Sequence, residues 1–263
     1  MVGGGAMGSA LLEGVIQAGL LKPEALFLLE TDHSKREALR ERLGINLCET
    51  IDELLRECRL IVFAVKPQVL PAVLREMKPL VKPDHLLISI AAGVSLAALE
   101  AMVPQGRFVR VMPNTPARIQ RGVAAYALGK NIQPVEAERV AAIFGCVGRV
   151  ISVPENLMDA VTALSGSGPA YVFYFIEALV EAGVLLGLGR EQAGILAVET
   201  LSGAVEMLKR TGEHPAKLRE EVTSPGGTTA AALFELEKAG FSGILMTALQ
   251  AAARRSAELN QVK

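Results

Sequence analysis

The sequence is poor in several kinds of residue, and each shortage narrows the class of protein. It has no tryptophan among its 263 residues, and only 4% of its side chains are aromatic. Its 27 basic and 28 acidic residues are balanced and form no block of one sign, which argues against a nucleic-acid surface or a polybasic membrane patch. We therefore expect neither a nucleic acid nor a membrane as a partner.

Cysteine is also scarce. Cys48, Cys58 and Cys146 are odd in number and show neither metal-ligand nor disulfide spacing. We therefore expect no metal site, and a reducing cytoplasm fits this chain best. The N-terminus lacks the basic and apolar regions of a signal peptide.

Hydrophobic residues are abundant, at 51% of the chain. The longest apolar stretch, residues 170–188, contains Glu177 and Glu181, and a membrane span rarely tolerates two carboxylates near its middle. We interpret the stretch as a helix that is buried in a bundle or against a partner chain.

Up to Pro154, short apolar runs alternate with amphipathic stretches, which is typical of a doubly wound α/β domain. The predicted strands are 26–29, 60–65, 86–90, 108–112, 123–128 and 149–153, and the predicted helices between them are 7–20, 33–43, 71–77 and 136–144. From Asn156 onward the patterns are helical. The sequence therefore predicts a nucleotide-binding domain over residues 1–154 and a helical domain over residues 155–263.

A glycine-rich loop stands before the first predicted helix. Gly3, Gly5 and Gly8 satisfy the spacing G-x-G-x-x-G, which lets backbone approach a pyrophosphate at a helix N-terminus. Glu30 follows about 20 residues later, at the end of a predicted strand, where an acid accepts hydrogen bonds from a ribose hydroxyl. The alternatives are an ordinary packing turn for the glycines and a solvated loop acid for Glu30.

Two features of this region stay open. Only Met1 and Val2 precede the loop, so either the first strand is very short or the chain starts upstream. The choice between NADH and NADPH is also undecided, because Glu30 would repel a 2′-phosphate whereas the His33–Arg36 segment could attract one.

Three further segments follow predicted strands: Ala64–Pro67, Ser89–Gly93 and Met112–Pro116. Ligands of open parallel sheets bind outside the carboxyl ends of the strands, so these segments are predicted to face one crevice with the glycine loop. The alternative is that each is a turn that ends a strand.

These segments, together with Ser165–Tyr171 and the threonine loop Thr223–Thr229, resemble those of pyrroline-5-carboxylate reductases over nearly the full chain. The resemblance implies a Rossmann-type doubly wound parallel sheet followed by an all-helical dimerisation domain, in a homodimer that often assembles into a decamer. It also implies NADPH- or NADH-dependent reduction of 1-pyrroline-5-carboxylate to L-proline, the last step of proline biosynthesis.

The resemblance also implies the site residues. Cofactor contacts are expected at Gly3, Gly5, Ala6, Met7, Gly8, Glu30, Ala64, Val65, Lys66, Pro67, Ala91 and Ala92. Substrate contacts are expected at Asn114, Ser167, Thr223, Ser224, Gly226, Gly227, Thr228 and Thr229, between the nicotinamide and the threonine loop. The chain departs from the family where an asparagine is often found, near Thr50 and at Ala6.

Thr229 is the predicted catalytic residue, because the matching threonine of the family lies at the ring nitrogen of the imine. The glycines before it open a predicted helix whose free amides suit the substrate carboxylate. The alternative is that Ser224, Thr228 and Thr229 cap this helix.

Two other functions compete with this interpretation. A β-hydroxyacid dehydrogenase would need a catalytic lysine, and Lys209, Lys217 and Lys238 are candidates by residue type only. A nucleotide-binding regulator would need no substrate loop. The histidines, His33, His85 and His214, lie outside every motif, which favours C=N chemistry over alcohol oxidation, because an alcohol requires a strong base.

Overall fold

The computed structural model describes residues 1–260 as seven strands and twelve α-helices, with four short 3-10 turns and one π-helical turn, Thr162–Gly166. The strands are β1 (Phe27–Leu28), β2 (Asn46–Leu47), β3 (Leu60–Phe63), β4 (Leu86–Ser89), β5 (Arg107–Met112), β6 (Gly122–Leu128) and β7 (Gly148–Ser152). The helices up to the last strand are α1 (Ala6–Gln17), α2 (His33–Leu43), α3 (Ile51–Glu57), α4 (Leu70–Met77), α5 (Leu96–Met102) and α6 (Pro134–Gly145). Those after it are α7 (Met158–Val161), α8 (Gly168–Leu185), α9 (Arg190–Thr211), α10 (Pro215–Glu221), α11 (Thr228–Lys238) and α12 (Phe241–Asn260).

Val2 joins two groups of strands into one sheet. It forms parallel bridges with Leu29 beside β1 and with Phe63 in β3. β1 pairs with β2 on one side, and β3, β4, β5, β6 and β7 follow in that order on the other. The strand before the glycine loop is therefore reduced to one bridging residue, although it holds the central position that the fold requires.

The sheet is parallel except between β5 and β6, which run antiparallel. The prediction of a doubly wound parallel sheet is confirmed, with the correction that β6 runs antiparallel to β5. The connection between these strands holds only the 3-10 turn Thr115–Ile119. A parallel neighbour would need a longer crossover, so a short connection turns the chain back.

Polar caps and buried apolar side chains explain why the helices begin and pack where they do. Asp32, Thr50 and Ser95 each accept a backbone N–H in the first turn of α2, α3 and α5. The strands are covered on both faces: Phe63 and Phe108 pack with one group of buried residues, and Phe144 with another. This double covering explains the continuous apolar runs of β3 and β4.

The chain divides into two compact units. The first comprises Met1–Pro169 and the C-terminal residues from Gln250 onward, and the second comprises Ala170–Leu249. The first unit thus extends past residue 154, where the sequence predicts the boundary between the two domains. The domain boundary itself stays a prediction.

The apolar helix α8 has no buried residue within its own chain. The single chain covers α8 only in part: Phe175 lies against Phe241 with ring centroids 6.4 Å apart, and Gly183 lies against Ala193. Burial in a bundle or against a partner chain therefore stays a prediction. Among residues 1–260, one helical stretch, Glu155–Leu185, is long and apolar enough by length and composition to cross a membrane.

Candidate active site

The glycine loop packs so closely against the end of β3 that side chains are excluded. Gly3 has a φ of +96°, and its N–H donates to the carbonyl of Leu29 at 2.9 Å. A Cβ on Gly3 would lie 2.8 Å from the carbonyl oxygen of Ala64, and one on Gly8 would lie 2.2 Å from that of Gly3. Glycine is thus required at both positions by the approach of backbone to backbone.

Gly5 has the opposite surroundings. It precedes α1, is exposed, and a Cβ placed there would meet nothing within 4 Å. No side chain caps α1 in the described chain, and the first amides of a helix, here those of Ala6, Met7 and Gly8, lack partners within it. Open space before unpaired amides is what a pyrophosphate requires, so the loop fits a dinucleotide.

Glu30 lies beside the loop, as predicted. Its Oε2 accepts the N–H of Gly4 at 2.7 Å, and its Oε1 accepts the N–H of Asp32 at 2.9 Å. The carboxylate is therefore fixed in position by backbone amides at the end of β1. Glu30 is thus an ordered acid beside the glycine loop, and its contact with a ribose hydroxyl stays a prediction.

The structure brings the ends of β1 and β3 together at the glycine loop, as the motifs predict. Glu30 and Val65 line one cavity of about 250 Å³ with Gly3. Lys66 begins the turn into α4, where its carbonyl accepts the N–H groups of Val69 and Leu70, and its side chain is exposed. Pro67 follows in that turn.

Ala91 and Ala92 lie in the loop that follows β4. Ala91 is buried and its N–H donates to Oγ of Ser89 at 3.3 Å, whereas Ala92 is half-buried. Gly93 follows with a φ of +69°, and a Cβ there would lie 2.8 Å from Cβ of Leu259. The C-terminal end of α12 therefore packs against this loop.

Sequence reasoning missed two residues of the same cavity, Glu49 and Glu76. Glu49 follows the two-residue strand β2, which is too short to show a period, and Glu76 lies on α4. The cavity is also lined by Thr50, where the family often has asparagine. A rule that searches only the ends of long strands does not find these side chains.

Asn114 has a structural role in the described chain. Its Nδ2 donates to the carbonyl of Ser165 at 3.1 Å, and its Oδ1 accepts the N–H of Val123 at 2.9 Å. It thereby fastens the turn after β5 to the segment before α8. Ser167 lies just after that segment and is half-buried; its N–H donates to the carbonyl of Thr162 at 2.9 Å.

The threonine loop belongs to the second unit. Thr223 Oγ1 donates to the carbonyl of Arg219, and Gly226 has a φ of +68° that positions the turn. Gly227 precedes α11, whose N-terminus has no side-chain cap. The alternative in which Ser224, Thr228 and Thr229 cap this helix is therefore not observed, and its first amides are available to a ligand.

A Rossmann-type sheet with a glycine loop shaped for a pyrophosphate defines a dinucleotide-binding oxidoreductase. Comparisons with known proteins agree with this class. A model of "NADP oxidoreductase coenzyme F420-dependent" proteins matches residues 1–93, and one of "Pyrroline-5-carboxylate reductase dimerisation" matches residues 155–259.

Full-length relatives narrow the class. The chain is 42% identical over 260 residues to a pyrroline-5-carboxylate reductase of Arabidopsis thaliana, covering 99% of this chain and 94% of the relative. Two solved structures each match 99% of this chain and 97% of theirs. One is a Plasmodium falciparum pyrroline carboxylate reductase with NADP bound (38% identity, TM-score 0.88), and the other is a Coxiella burnetii pyrroline-5-carboxylate reductase (33% identity, TM-score 0.93). The chain belongs to the pyrroline-5-carboxylate reductase family, which confirms the resemblance.

Proposed function

We propose that the protein reduces the cyclic imine of 1-pyrroline-5-carboxylate to L-proline with NADH or NADPH. The observation that carries this proposal is similarity to pyrroline-5-carboxylate reductases over 99% of the chain, which includes the threonine loop as well as the glycine loop. This activity is the last step of proline biosynthesis, and we place it in the cytoplasm.

The first unit would hold the cofactor. The amides at the start of α1 would bind the pyrophosphate, Glu30 would accept a ribose hydroxyl, and Ala64–Pro67 with Ala91 and Ala92 would border the nicotinamide half. When bound, the nicotinamide supplies hydride to the imine carbon. The protein contributes orientation, because Gly3 and Gly8 fix the loop against the backbone of β3.

The threonine loop would bind the substrate. The uncapped amides at the start of α11 would donate hydrogen bonds to its carboxylate, since the positive end of the helix dipole favours an anion. Thr229, one residue inside the helix, would donate its hydroxyl to the ring nitrogen, which gains a proton during reduction. Asn114, Ser167, Thr223, Ser224, Gly226, Gly227 and Thr228 remain proposed substrate contacts.

A homodimer would cover the apolar surface of the second unit. Phe173 and Tyr174 on α8, Phe234 on α11 and Met246 on α12 are each at least 66% exposed in the single chain. Exposed apolar side chains that cluster on helices are typical of an interaction site, and the match to a dimerisation family from residue 155 supports a second copy rather than a membrane as the occupant. Further assembly into a decamer stays a prediction.

The competing functions receive less support. Lys217 and Lys238 form exposed ion pairs with Glu213 and Glu235, and Lys209 is exposed near the end of α9, so none is a buried catalytic base. A regulator without turnover would leave the uncapped α11 and its threonines without a role.

The test is the loss of NADH and NADPH absorbance with 1-pyrroline-5-carboxylate, together with the detection of proline. Oxidation of either cofactor with formation of one proline per cofactor would support the proposed function. Cofactor binding without oxidation would favour the regulator, and oxidation coupled only to hydroxyacid chemistry would favour the dehydrogenase.

A further inference from the structure

We propose that this protein prefers NADH over NADPH, and that the carboxylates of Glu30, Glu49 and Glu76 around the adenosine-ribose cavity determine this choice. The inference rests on the proposed dinucleotide-dependent function and deepens it. NADPH differs from NADH by a 2′-phosphate on the adenosine ribose. Cofactor choice is therefore decided where that ribose lies.

The position of the cavity identifies it as the ribose end of the site. It begins at Gly3 and extends between Glu30, at the end of β1, and Val65, just after β3. In a Rossmann domain the acid at the end of the second strand of the fold meets the ribose hydroxyls, and β1 takes that place here because Val2 lies between β1 and β3.

No cationic side chain lines this cavity in the described chain, whereas three carboxylates do. Two basic residues of α2, Arg36 and Lys35, are engaged with acids. Arg36 donates through Nη1 to Oε2 of Glu49 at 2.8 Å and through Nη2 to the other oxygen, and Lys35 lies 2.8 Å from Asp32. A 2′-phosphate would have to displace Glu49 to reach Nη1 and Nη2 of Arg36, because the remaining donor, Nε, is buried.

The two cofactors would meet this cavity differently. The carboxylate of Glu30 is held by two backbone amides and retains lone pairs that a 2′-hydroxyl can donate to. A 2′-phosphate carries about two negative charges near neutral pH, and it lacks the hydroxyl proton that the 2′-hydroxyl would donate to Glu30. The 2′-phosphate would lie near the carboxylates of Glu30 and Glu76 without a cationic partner, because the charge of Arg36 is already neutralised by Glu49.

The decisive experiment is equilibrium binding, which does not depend on turnover. NADH and NADPH are titrated by the change in their own nicotinamide fluorescence on binding, and ADP-ribose and 2′-phospho-ADP-ribose by calorimetry. We expect NADH and ADP-ribose to bind at least tenfold more tightly than their phosphorylated forms, a ratio that corresponds to about 1.4 kcal/mol. The ratio should shrink in high salt, because the repulsion is partly screened.

Variants assign the effect to named residues. Glu49→Gln frees Arg36 and should strengthen binding of 2′-phospho-ADP-ribose about tenfold. Glu30→Gln should weaken binding of ADP-ribose and reduce the preference. Since Glu30 also holds the glycine loop, Glu76→Gln provides a second measurement at an exposed position and should improve NADPH binding by severalfold.

Glu41→Gln is the matched control. Glu41 is exposed on α2 and does not line the cavity, so this substitution removes one negative charge from outside the cavity. Its binding ratio should equal that of the unaltered protein.

NADPH binding as tight as NADH binding in the unaltered protein would overturn the proposal. So would a ratio that is the same in Glu49→Gln, Glu76→Gln and Glu41→Gln. Absence of imine reduction with a clear preference for NADH in binding would reject the proposed function and leave this inference standing. Imine reduction that proceeds best with NADPH would support the proposed function and overturn the inferred preference for NADH.

Discussion

Arg110 Nη1 lies 2.9 Å from Oε1 of Glu155, and this ion pair joins the interior of the sheet to the segment that follows the last strand. The Arg110 side chain is only 3% exposed. The same Glu155 oxygen accepts the N–H of Leu96 at 3.0 Å, and Asp159 lies 3.9 Å from Arg110 while accepting from Ser256 at 2.7 Å. One buried guanidinium thus connects β5, α5, α7 and the end of α12.

We predict that Glu155→Ala lowers the free energy of unfolding by about 2–3 kcal/mol, because it leaves the buried Arg110 with one distant carboxylate. Denaturant unfolding followed by circular dichroism measures this. Glu213→Ala is the control, since it breaks the exposed pair with Lys217 and should cost less than about 1 kcal/mol. Equal effects of the two substitutions would show that Arg110 is not held by Glu155.

The glycine loop gives a second prediction, in which two similar substitutions have different effects. Gly8→Ala places a methyl group 2.2 Å from the carbonyl of Gly3, so the loop must shift and the melting temperature should fall by several degrees. Gly5→Ala meets no atom within 4 Å, so its melting temperature should stay unchanged.

Cofactor binding separates the two variants further. Because Gly5 borders the space proposed for the pyrophosphate, Gly5→Ala should weaken NADH binding at least tenfold in spite of its normal stability. Unimpaired binding in Gly5→Ala would place the pyrophosphate elsewhere. A stable Gly8→Ala variant would mean that the backbone contact between Gly3 and Gly8 is dispensable.

The part of the fold that the sequence predicts well is the part whose signal is local. Runs such as Leu60–Phe63 are buried on both faces, so their apolar character shows in any window of sequence. α3 (Ile51–Glu57) and α5 (Leu96–Met102) were missed, because seven residues show less than two full periods. The antiparallel turn of β6 was missed because strand direction depends on how the chain crosses the sheet.

The site follows the same division. Gly3, Gly8 and Glu30 were predicted, because the motif spacing reflects a backbone geometry that the chain must adopt. Glu49 and Glu76 were not, because only the folded chain brings the end of β2 and one face of α4 to Glu30. The internal hydrogen bonds of Asn114 were likewise invisible, since their partners are Ser165 and Val123.

The exposed apolar surface predicts a dimer that a single charge can disrupt. Phe173→Glu on α8 should shift the protein from dimer to monomer at micromolar concentration, because a carboxylate cannot be buried there without a partner. Light scattering after size exclusion measures the mass. Ile119→Glu is the control, since Ile119 is 69% exposed in the first unit, and it should leave the dimer intact. Dissociation by both variants, or by neither, would contradict α8 as the interface.

Burial of His85 makes stability depend on pH. Its imidazole is fully buried between the N–H of Lys82 and the carbonyl of Leu55, and burial lowers its pKa below the usual value, which the Leu55 hydrogen bond offsets in part. Below about pH 6.5 the unfolded chain binds a proton that the folded chain does not, so stability falls as the pH falls. Each pH unit that separates the pKa of His85 in the folded chain from that in the unfolded chain corresponds to about 1.4 kcal/mol of folding stability.

His85→Gln isolates this contribution, because it removes the titrating group and keeps a hydrogen-bonding side chain. Between pH 7.5 and 5.5 the free energy of unfolding should decrease more in the unaltered protein than in the variant. Carboxylates titrate alike in both proteins, so the difference reports His85. Parallel pH profiles would show that this imidazole is protonated equally in the folded and unfolded chains.

Thr229 is the residue on which the proposed chemistry depends most directly. Thr229→Ala should lower kcat more than tenfold while the Kd for NADH changes little, because the hydroxyl is proposed to act on the ring nitrogen and not on the cofactor. Thr229→Ser should restore most of the activity, since it returns the hydroxyl. Thr228→Ala, the neighbouring substitution at the first position of α11, should mainly raise KM through the substrate carboxylate. A kcat for Thr229→Ala equal to that of the unaltered enzyme would remove this hydroxyl from the reaction, and α11 would then serve only to bind the anion.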